Sequence, residues 1–384
     1  MNLVEDLIMP FPTEDENSFV KRKAYFIRIA SNRISYGYKM LDAMKGNAIP
    51  INLCEKEEID AFWAKYLTNE ARDKLVNYKF YDVYKSFQLN GMQLWQYIPS
   101  TFYYAFIDDY FTNPQHSAPC DNKNFYDLLF HDIKMPKTIF RKNKIYMDED
   151  YIEISRESAI SKARDCGEVI LKAASGSGGG QGILFWDYSK DTEALLLNYL
   201  NEQSNVICQE VITQHESLSR INSTSVNTIR IMTLLFQGQV HVLSSVLRMG
   251  VNGARLDNAS VGGIVSGILL DGRIKNFAYD LAANKYSEHP NGIRFDSVVV
   301  PGFDVCVDLS IMLAKRLCFV SRLISWDFAI DEQGCPILIE MNPTFGGLEV
   351  NQLTNGPIFG DMTDDIFREV FAKSYTLNSI LKSM

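Results

Sequence analysis

Five glycines fall within the seven residues 176–182, between the apolar runs 169–171 and 183–186. A glycine tract this dense cannot hold a regular element, because each glycine loses more backbone entropy on ordering than any other residue. Its apolar flanks are too short for helices and read as strands, 168–172 before the loop and 182–186 after it. A strand–loop–strand unit of this kind brings bare backbone amides close to whatever lies beneath the loop. Ser175 and Ser177 add hydroxyl donors, and Lys172 at the end of the first strand supplies a point charge that can reach a phosphate. The candidate anion-binding residues are therefore Lys172, Ser175, Gly176, Ser177, Gly178, Gly179 and Gly180. In a Walker A loop the lysine follows the glycines, whereas here it precedes them. A dinucleotide fingerprint opens a helix, whereas this loop opens a strand. From these residues alone, phosphate binding and a flexible surface loop both remain open.

A second chemical signal lies near the C-terminus. The run Trp326-Asp327-Phe328-Ala329-Ile330 is followed by the turn-like Asp331-Glu332-Gln333-Gly334 and then by Ile337-Leu338-Ile339-Glu340-Met341-Asn342-Pro343. Two apolar strands around such a turn make an antiparallel hairpin. Asp327 and Glu340 then meet at its far end, and Glu340 and Asn342, two apart, point to one side. Two carboxylates and an amide are hard oxygen donors, which suits magnesium completed by nucleotide phosphates. Zinc is disfavoured, because no His or Cys stands at ligand spacing nearby. A solvated polar strand end is the alternative.

The rest of the chain frames these two segments. At 384 residues it is long enough for two or three subdomains. Helices are expected at 55–67, 71–87, 121–130, 158–165, 191–200, 303–320 and 363–374. Strand pairs are expected at 226–236 with 239–248 and at 264–270 with 273–277. The expected division is 1–120 as an N-terminal accessory or acceptor-binding unit, 121–212 as a central lobe and 213–384 as a C-terminal lobe. Arg230 and Arg248 fall inside apolar strands, where an unpaired guanidinium would be costly. A phosphate, a substrate carboxylate or a salt bridge within the lobe would each offset that cost. In the N-terminal unit Arg28, Arg33, Tyr36 and Tyr38 are weaker candidates for an acceptor site. The formal charge of −9 argues against broad contact with nucleic acid or an anionic membrane. Seven scattered cysteines without a CxxC argue against a disulfide or zinc scaffold. The first sixteen residues lack a basic-then-apolar pattern, so no signal peptide is expected, and no run is long enough for a transmembrane segment. The expected compartment is the cytoplasm. A peripheral position on the inner face of the membrane is an alternative reading of the aromatic run 102–111, which is otherwise core or subdomain interface.

In order and spacing, Asp121-Asn122-Lys123, Leu171-Lys172 with its loop, Cys208-Gln209-Glu210-Val211-Ile212, Asn227-Thr228-Ile229-Arg230 and Asp327 with Glu340-Met341-Asn342-Pro343 resemble the ATP-grasp superfamily. More narrowly, the chain resembles the sugar-transfer-associated ATP-grasp proteins of bacterial surface-polysaccharide biosynthesis. The match covers about 120–360. The resemblance implies an α+β ATP-grasp fold, two lobes gripping ATP behind an additional N-terminal unit. It gives Lys123 and Lys172 to the nucleotide phosphates and residues 175–182 to a mobile cover over them. Glu210 would accept from the adenine amino group, beside Gln209 and the backbone of Val211 and Ile212. Glu216 would meet the ribose, with His215 one residue away as its competitor. Asp327, Glu340 and Asn342 would hold magnesium, for which manganese could substitute. Arg255, Asn258 and Gly262-Gly263 resemble the arginine, asparagine and double-glycine pattern of amino-acid-adding ligases. Asn258 stands three residues after Arg255, however, where those ligases commonly have two. The catalytic set implied is Lys172, Arg230, Arg248, Arg255 and Asn258. The implied reaction joins a small-molecule or sugar-linked carboxylate, a polysaccharide precursor being one candidate, to an amine through an acyl phosphate. A carbohydrate kinase, a thiol or hydroxyl ligase and a non-catalytic nucleotide scaffold are the competing readings. Oligomeric state is not legible.

Overall fold

The structure, a computed structural model, describes residues 35, 39–40, 42–43, 52–69, 84, 94–112, 114–176, 180 and 182–371. The expected helix at 71–87 lies outside these residues except for position 84. Arg28, Arg33, Tyr36, Tyr38, Ser177, Gly178 and Gly179 lie outside them entirely. The chain forms two compact units. One comprises 1–115, 279–286 and 344–384, and the other comprises 116–278 and 287–343.

The second unit contains two antiparallel sheets. Strands β1 (Thr138–Asn143), β2 (Ile145–Met147), β3 (Glu153–Ile154), β4 (Glu168–Ala173), β5 (Leu184–Asp187) and β6 (Asn205–Glu210) are ordered β3-β2-β1-β6-β4-β5. Helix Arg156–Cys166 begins at Ser155, whose hydroxyl accepts from the Ser158 amide at 3.1 Å. Such a cap is typically worth about 1 kcal/mol. The helix buries Ala159, Ile160 and Ala163, and helix Glu193–Glu202 buries Leu196 and Leu200. Both join a core with Phe140, Val169, Leu171 and Trp186. That core fixes β4, and with it the lysine that precedes the glycine loop.

The other sheet is built from β7 (Thr228–Phe236), β8 (Gln239–Met249) and β9 (Ile264–Gly267), with β12 (Leu323–Ile330) and β13 (Pro336–Asn342) beyond two-residue strands β10 (Ala278–Tyr279) and β11 (Lys285–Tyr286) in chain order. Within this unit five strands run β9-β8-β7-β12-β13. Gln237 and Gly238, both at positive φ, make the tight β7–β8 turn. Strand β12 is buried at every residue, so it reads as a continuous apolar run rather than an alternation. Helix Phe303–Arg316 covers β7 and β8, burying Phe303, Cys306, Ser310, Leu313 and Ala314.

The β12–β13 hairpin contains a bulge. From the turn outward the pairs are Ile330↔Pro336, Ala329↔Ile337 and Phe328↔Leu338, after which the register slips and Asp327 faces Glu340. A regular ladder would set Asp327 against Ile339 and Glu340 against Trp326, a fully buried ring. Re-aiming a side chain in this way is a common use of a bulge beside a site.

Two expectations are corrected. Residues 273–277 do not form a strand. Gly272 closes a turn onto the Leu269 carbonyl, and the segment makes only isolated bridges, Ile268↔Ile274 and Arg273↔Val299. The helix expected over 121–130 divides into a 3₁₀ turn, Lys123–Phe125, and one α turn, Tyr126–Leu129. Asn122 initiates it by accepting from the Asn124 amide.

The first unit packs aromatic rings. Phe62 and Trp63 on helix Leu53–Ala64 meet Phe367 on helix Thr363–Phe371 edge to face, at 5.1 Å between centroids. The run 102–111 is spent inside this unit, with Phe102, Tyr103, Tyr104 and Ile107 essentially buried. Among the described residues, no helix is long and apolar enough to cross a membrane.

Candidate functional site

The two segments singled out by sequence meet in the second unit. Lys123 Nζ lies 2.7 Å from Glu340 Oε1, with the lysine almost buried and the glutamate a quarter exposed. Lys172, buried near the end of β4, lies in the field of both groups. Burial, reinforced by the Lys123 charge and opposed by Glu340, pushes its ammonium down to about 8. Glu340 offsets only part of the cost of burying Lys172 beside the Lys123 charge, so a further anion here would favour the charged form of Lys172.

The start of the glycine loop is stapled to the same place. The Lys123 amide donates to the Ala174 carbonyl at 2.8 Å, and the Ala174 amide donates to the Asn205 carbonyl at 3.0 Å. Asn205 Nδ2 donates to Ser175 Oγ at 3.0 Å, while its Oδ1 accepts from Asn124 at 2.8 Å. The Gly176 amide donates to Asp121, whose carboxyl is raised by burial against the lowering effect of Lys123 and that amide. Gly180, at φ +79°, lies against the 254–258 loop. A methyl there would come within 2.7 Å of Leu256 Cδ1 and 3.0 Å of Asn258 Nδ2, so the close approach requires glycine.

On the second sheet, Arg230 grips Asp327 in a two-point fork, Nε to Oδ1 at 2.7 Å and Nη2 to Oδ2 at 2.6 Å. The two residues are direct neighbours across β7 and β12. Arg248 Nη2 reaches the same Oδ2 at 3.4 Å. Burial alone would raise the Asp327 carboxyl, but the two guanidinium groups hold it below the ordinary carboxylate range. Asp327 in turn lifts Arg230 above its ordinary value against the opposing effect of burial. The anion that offsets these arginines is thus a carboxylate of the same lobe. Asn342 Nδ2 lies 3.4 Å from both the Ser325 carbonyl and Asp327 Oδ2, which leaves its Oδ1 as acceptor. Tyr126 braces the hairpin, accepting from the Met341 amide at 3.1 Å and donating to the Met341 carbonyl at 3.2 Å.

The donor chemistry fits magnesium. Lys123 takes one oxygen of Glu340, Asn342 presents its carbonyl oxygen, and Asp327 keeps a lone pair on Oδ1 beyond the one used by Arg230, its Oδ2 being taken by Arg230, Arg248 and Asn342. Among the described residues no three His, Cys, Asp or Glu side chains form a complete metal cage.

The remaining candidates spread around this centre. Gln209 is buried in β6. Glu210 at the strand end accepts from the Lys137 amide at 2.9 Å. Val211 and Ile212 follow, half-buried, with no backbone hydrogen bond among the described residues. Glu216 is exposed and paired with Arg220. His215 instead caps that short helix, its Nδ1 accepting from the Ser217 amide at 3.2 Å. Arg255 leaves its own sheet, pairing with Glu168 at 2.7 Å and lying 3.9 Å over the Phe185 ring. Asn258 opens the 3₁₀ turn Ala259–Val261. Gly263 packs so tightly there that a Cβ would fall 2.2 Å from the Asp257 carbonyl oxygen.

Sequence reasoning missed Asp257 and Thr228. Asp257 Oδ2 accepts from the Thr228 amide at 3.1 Å and from its hydroxyl, and lies 3.4 Å from Arg248 Nε. The signal was present as the extra residue between Arg255 and Asn258.

The profile of the family described as sugar-transfer associated ATP-grasp matches residues 105–366. A comparison with curated proteins found no match. Among solved structures, the chain is similar to the biotin carboxylase domain of Hydrogenobacter thermophilus 2-oxoglutarate carboxylase, solved with MgADP, ADP and bicarbonate. That pair has 17% identity and a TM-score of 0.41, covering 66% of this chain and 46% of the other. It is also similar to the L-amino acid ligase from Bacillus licheniformis (13%, 0.39, covering 67% and 48%). D-alanyl-alanine synthetase A from Vibrio cholerae gives 14%, 0.40, and coverage of 71% and 68%. The chain spans about half the length of the first two. Family membership rests on the 105–366 match.

Proposed function

This chain belongs to the sugar-transfer associated ATP-grasp family, and from that premise we propose that it is an ATP-dependent carboxylate–amine ligase. The observation that carries the reading is the junction of Lys123 and Lys172 with Glu340, where basic and acidic halves of a nucleotide site meet. Lys172 and Lys123 bind the phosphates of ATP. Glu210 and the backbone of Val211 and Ile212 take the adenine edge, and Glu216 exchanges Arg220 for the ribose. Asp327, Glu340 and Asn342 hold magnesium, which neutralises phosphate charge when bound. Manganese can take its place.

The terminal phosphoryl group passes from ATP to a carboxylate oxygen, leaving ADP and an acyl phosphate. The amine nitrogen then attacks the acyl carbon, phosphate leaves, and the amine gives up its proton. The chain's contribution is placement and charge stabilisation by Lys172, Arg230 and Arg248, with Arg255 and Asn258 at the acceptor side. No protein nucleophile is required. The family description, which names sugar transfer, supports a sugar-linked substrate; in this reading that substrate is a carboxylated sugar or surface-polysaccharide precursor and its partner an amino acid or similar amine. The compartment proposed is the cytoplasm, where ATP and magnesium are supplied. The three-part division 1–120, 121–212 and 213–384 is kept as the functional proposal, since the two sheets of the site fall within the second and third parts.

The test is a panel of carboxylates and amines incubated with ATP and magnesium, with products identified by mass spectrometry. An amide with equimolar ADP and phosphate is the expected outcome. A phosphorylated sugar, a thioester or an ester as the main product would reject amide formation, and failure to bind ATP would reject the site.

A further inference from the structure

We propose that Asp257 is a positioning residue for Arg248, acting chiefly through the Thr228 hydroxyl and beside it as a direct neighbour 3.4 Å from Nε. The inference rests on the nucleotide reading above but concerns a residue outside that site. Thr228 and Arg248 face each other across β7 and β8. Arg248 Nε donates to Thr228 Oγ1 at 2.8 Å, and Thr228 Oγ1 donates to Asp257 Oδ2. All three groups are largely screened from water.

A hydroxyl can donate or accept. Asp257 is an acceptor only, and it takes the single Thr228 proton, so the hydroxyl can offer Arg248 nothing but lone pairs. This polarity pins the inner edge of the guanidinium. Nη2 is then directed at Asp327, and the remaining N–H groups of the fork are available for an anion brought in with the nucleotide. The Thr228 amide also donates to Asp257, so the carboxylate is held on two sides. In the 255–258 stretch, Leu256 and Asn258 lie against Gly180 while Asp257 turns inward. The stretch that departs from the familiar spacing thus contains the carboxylate buried behind Arg248.

The experiment compares Kd for Mg·ADP and Mg·AMP-PNP by calorimetry. If Arg248 is aimed at the terminal phosphate, the ADP-to-AMP-PNP Kd ratio reports its placement. Thr228→Val and Asp257→Ala should each lower that ratio about tenfold, the scale of one charge-assisted hydrogen bond, with Mg·ADP affinity changed by less than about twofold. Thr228→Ser, which restores the hydroxyl, should return the ratio to within about twofold of wild type. Arg248→Ala should lower the ratio as much, and adding Asp257→Ala to it should change nothing further. An unchanged ratio in folded Thr228→Val, equal weakening of both nucleotides, or additive losses in the double variant would overturn the positioning role while leaving the site standing. If wild type binds neither nucleotide, the reading and this role fall together. Should Asp257→Ala fail to fold, the Thr228→Val and Thr228→Ser pair decides the matter.

Discussion

Lys172 shows how one residue ties stability to ligand. Its ammonium is pushed down from 10.5 to about 8, chiefly by burial. Between those two values the unfolded chain binds more protons than the folded one, so this group makes stability rise with pH across that window. Below about 8 the lysine is charged in both states, and its burial counts against the fold. Lys172→Met should therefore raise the ligand-free melting temperature near neutral pH and flatten its rise between about pH 8 and 10. The same change should weaken Mg·ATP binding at least about tenfold, since a buried anion loses its partner. In wild type, a triphosphate arriving at about pH 8.5 should restore the lysine's proton. Calorimetry in buffers of different ionisation enthalpy would register that proton uptake, and zero uptake would separate Lys172 from the phosphates.

At the scale of elements, the hairpin ending at Asp327 and Glu340 depends on its turn. Asp331 Oδ1 accepts from the Gln333 amide at 2.9 Å and the Cys335 amide at 2.8 Å, while its other oxygen pairs with half-exposed Lys134. Asp331→Ala should cost about 1–2 kcal/mol in denaturant unfolding. Asp331→Asn keeps the turn acceptor and loses only the charge paired with half-exposed Lys134, so it should cost less than Asp331→Ala. The hairpin was legible because its strands are apolar runs around an Asp-to-Gly turn. Likewise β4 with β5, and β7 with β8, follow from short apolar segments separated by glycine. The strand expected at 273–277 failed because a good turn at Asp271-Gly272 does not guarantee a ladder beyond it. The pairing of Arg230 with Asp327 was illegible for another reason. It depends on β7 and β12 being neighbours, ninety-seven residues apart in sequence, and local pattern carries no such information. Asp257 was hidden because one residue's inward turn is set by packing against Thr228 and Gly263 rather than by its own identity.

At the scale of the molecule, all of the charged centre lies in the second unit, whereas the first has an aromatic core of its own. Nucleotide binding should accordingly stabilise the second unit. At about a hundred times Kd the gain is roughly 2.7 kcal/mol, visible as a shift of several degrees in thermal unfolding. Glu340→Ala should abolish the magnesium-dependent part of that shift and of turnover, while its ligand-free melting temperature falls because nearly buried Lys123 is left without its carboxylate. A full magnesium-dependent shift in that variant would remove Glu340 from the metal site. The slipped register between β12 and β13 has a bearing on how such chains can vary in length. Removing Ile339 would let the two strands zip evenly with every outer partnership intact, Asp327 still opposite Glu340 and Ser325 still opposite Asn342. Adding a residue at the same point would carry Glu340 one step further out of line. Relatives of this chain should therefore tolerate a shortening here and resist a lengthening, the reverse of what is usual for a surface loop.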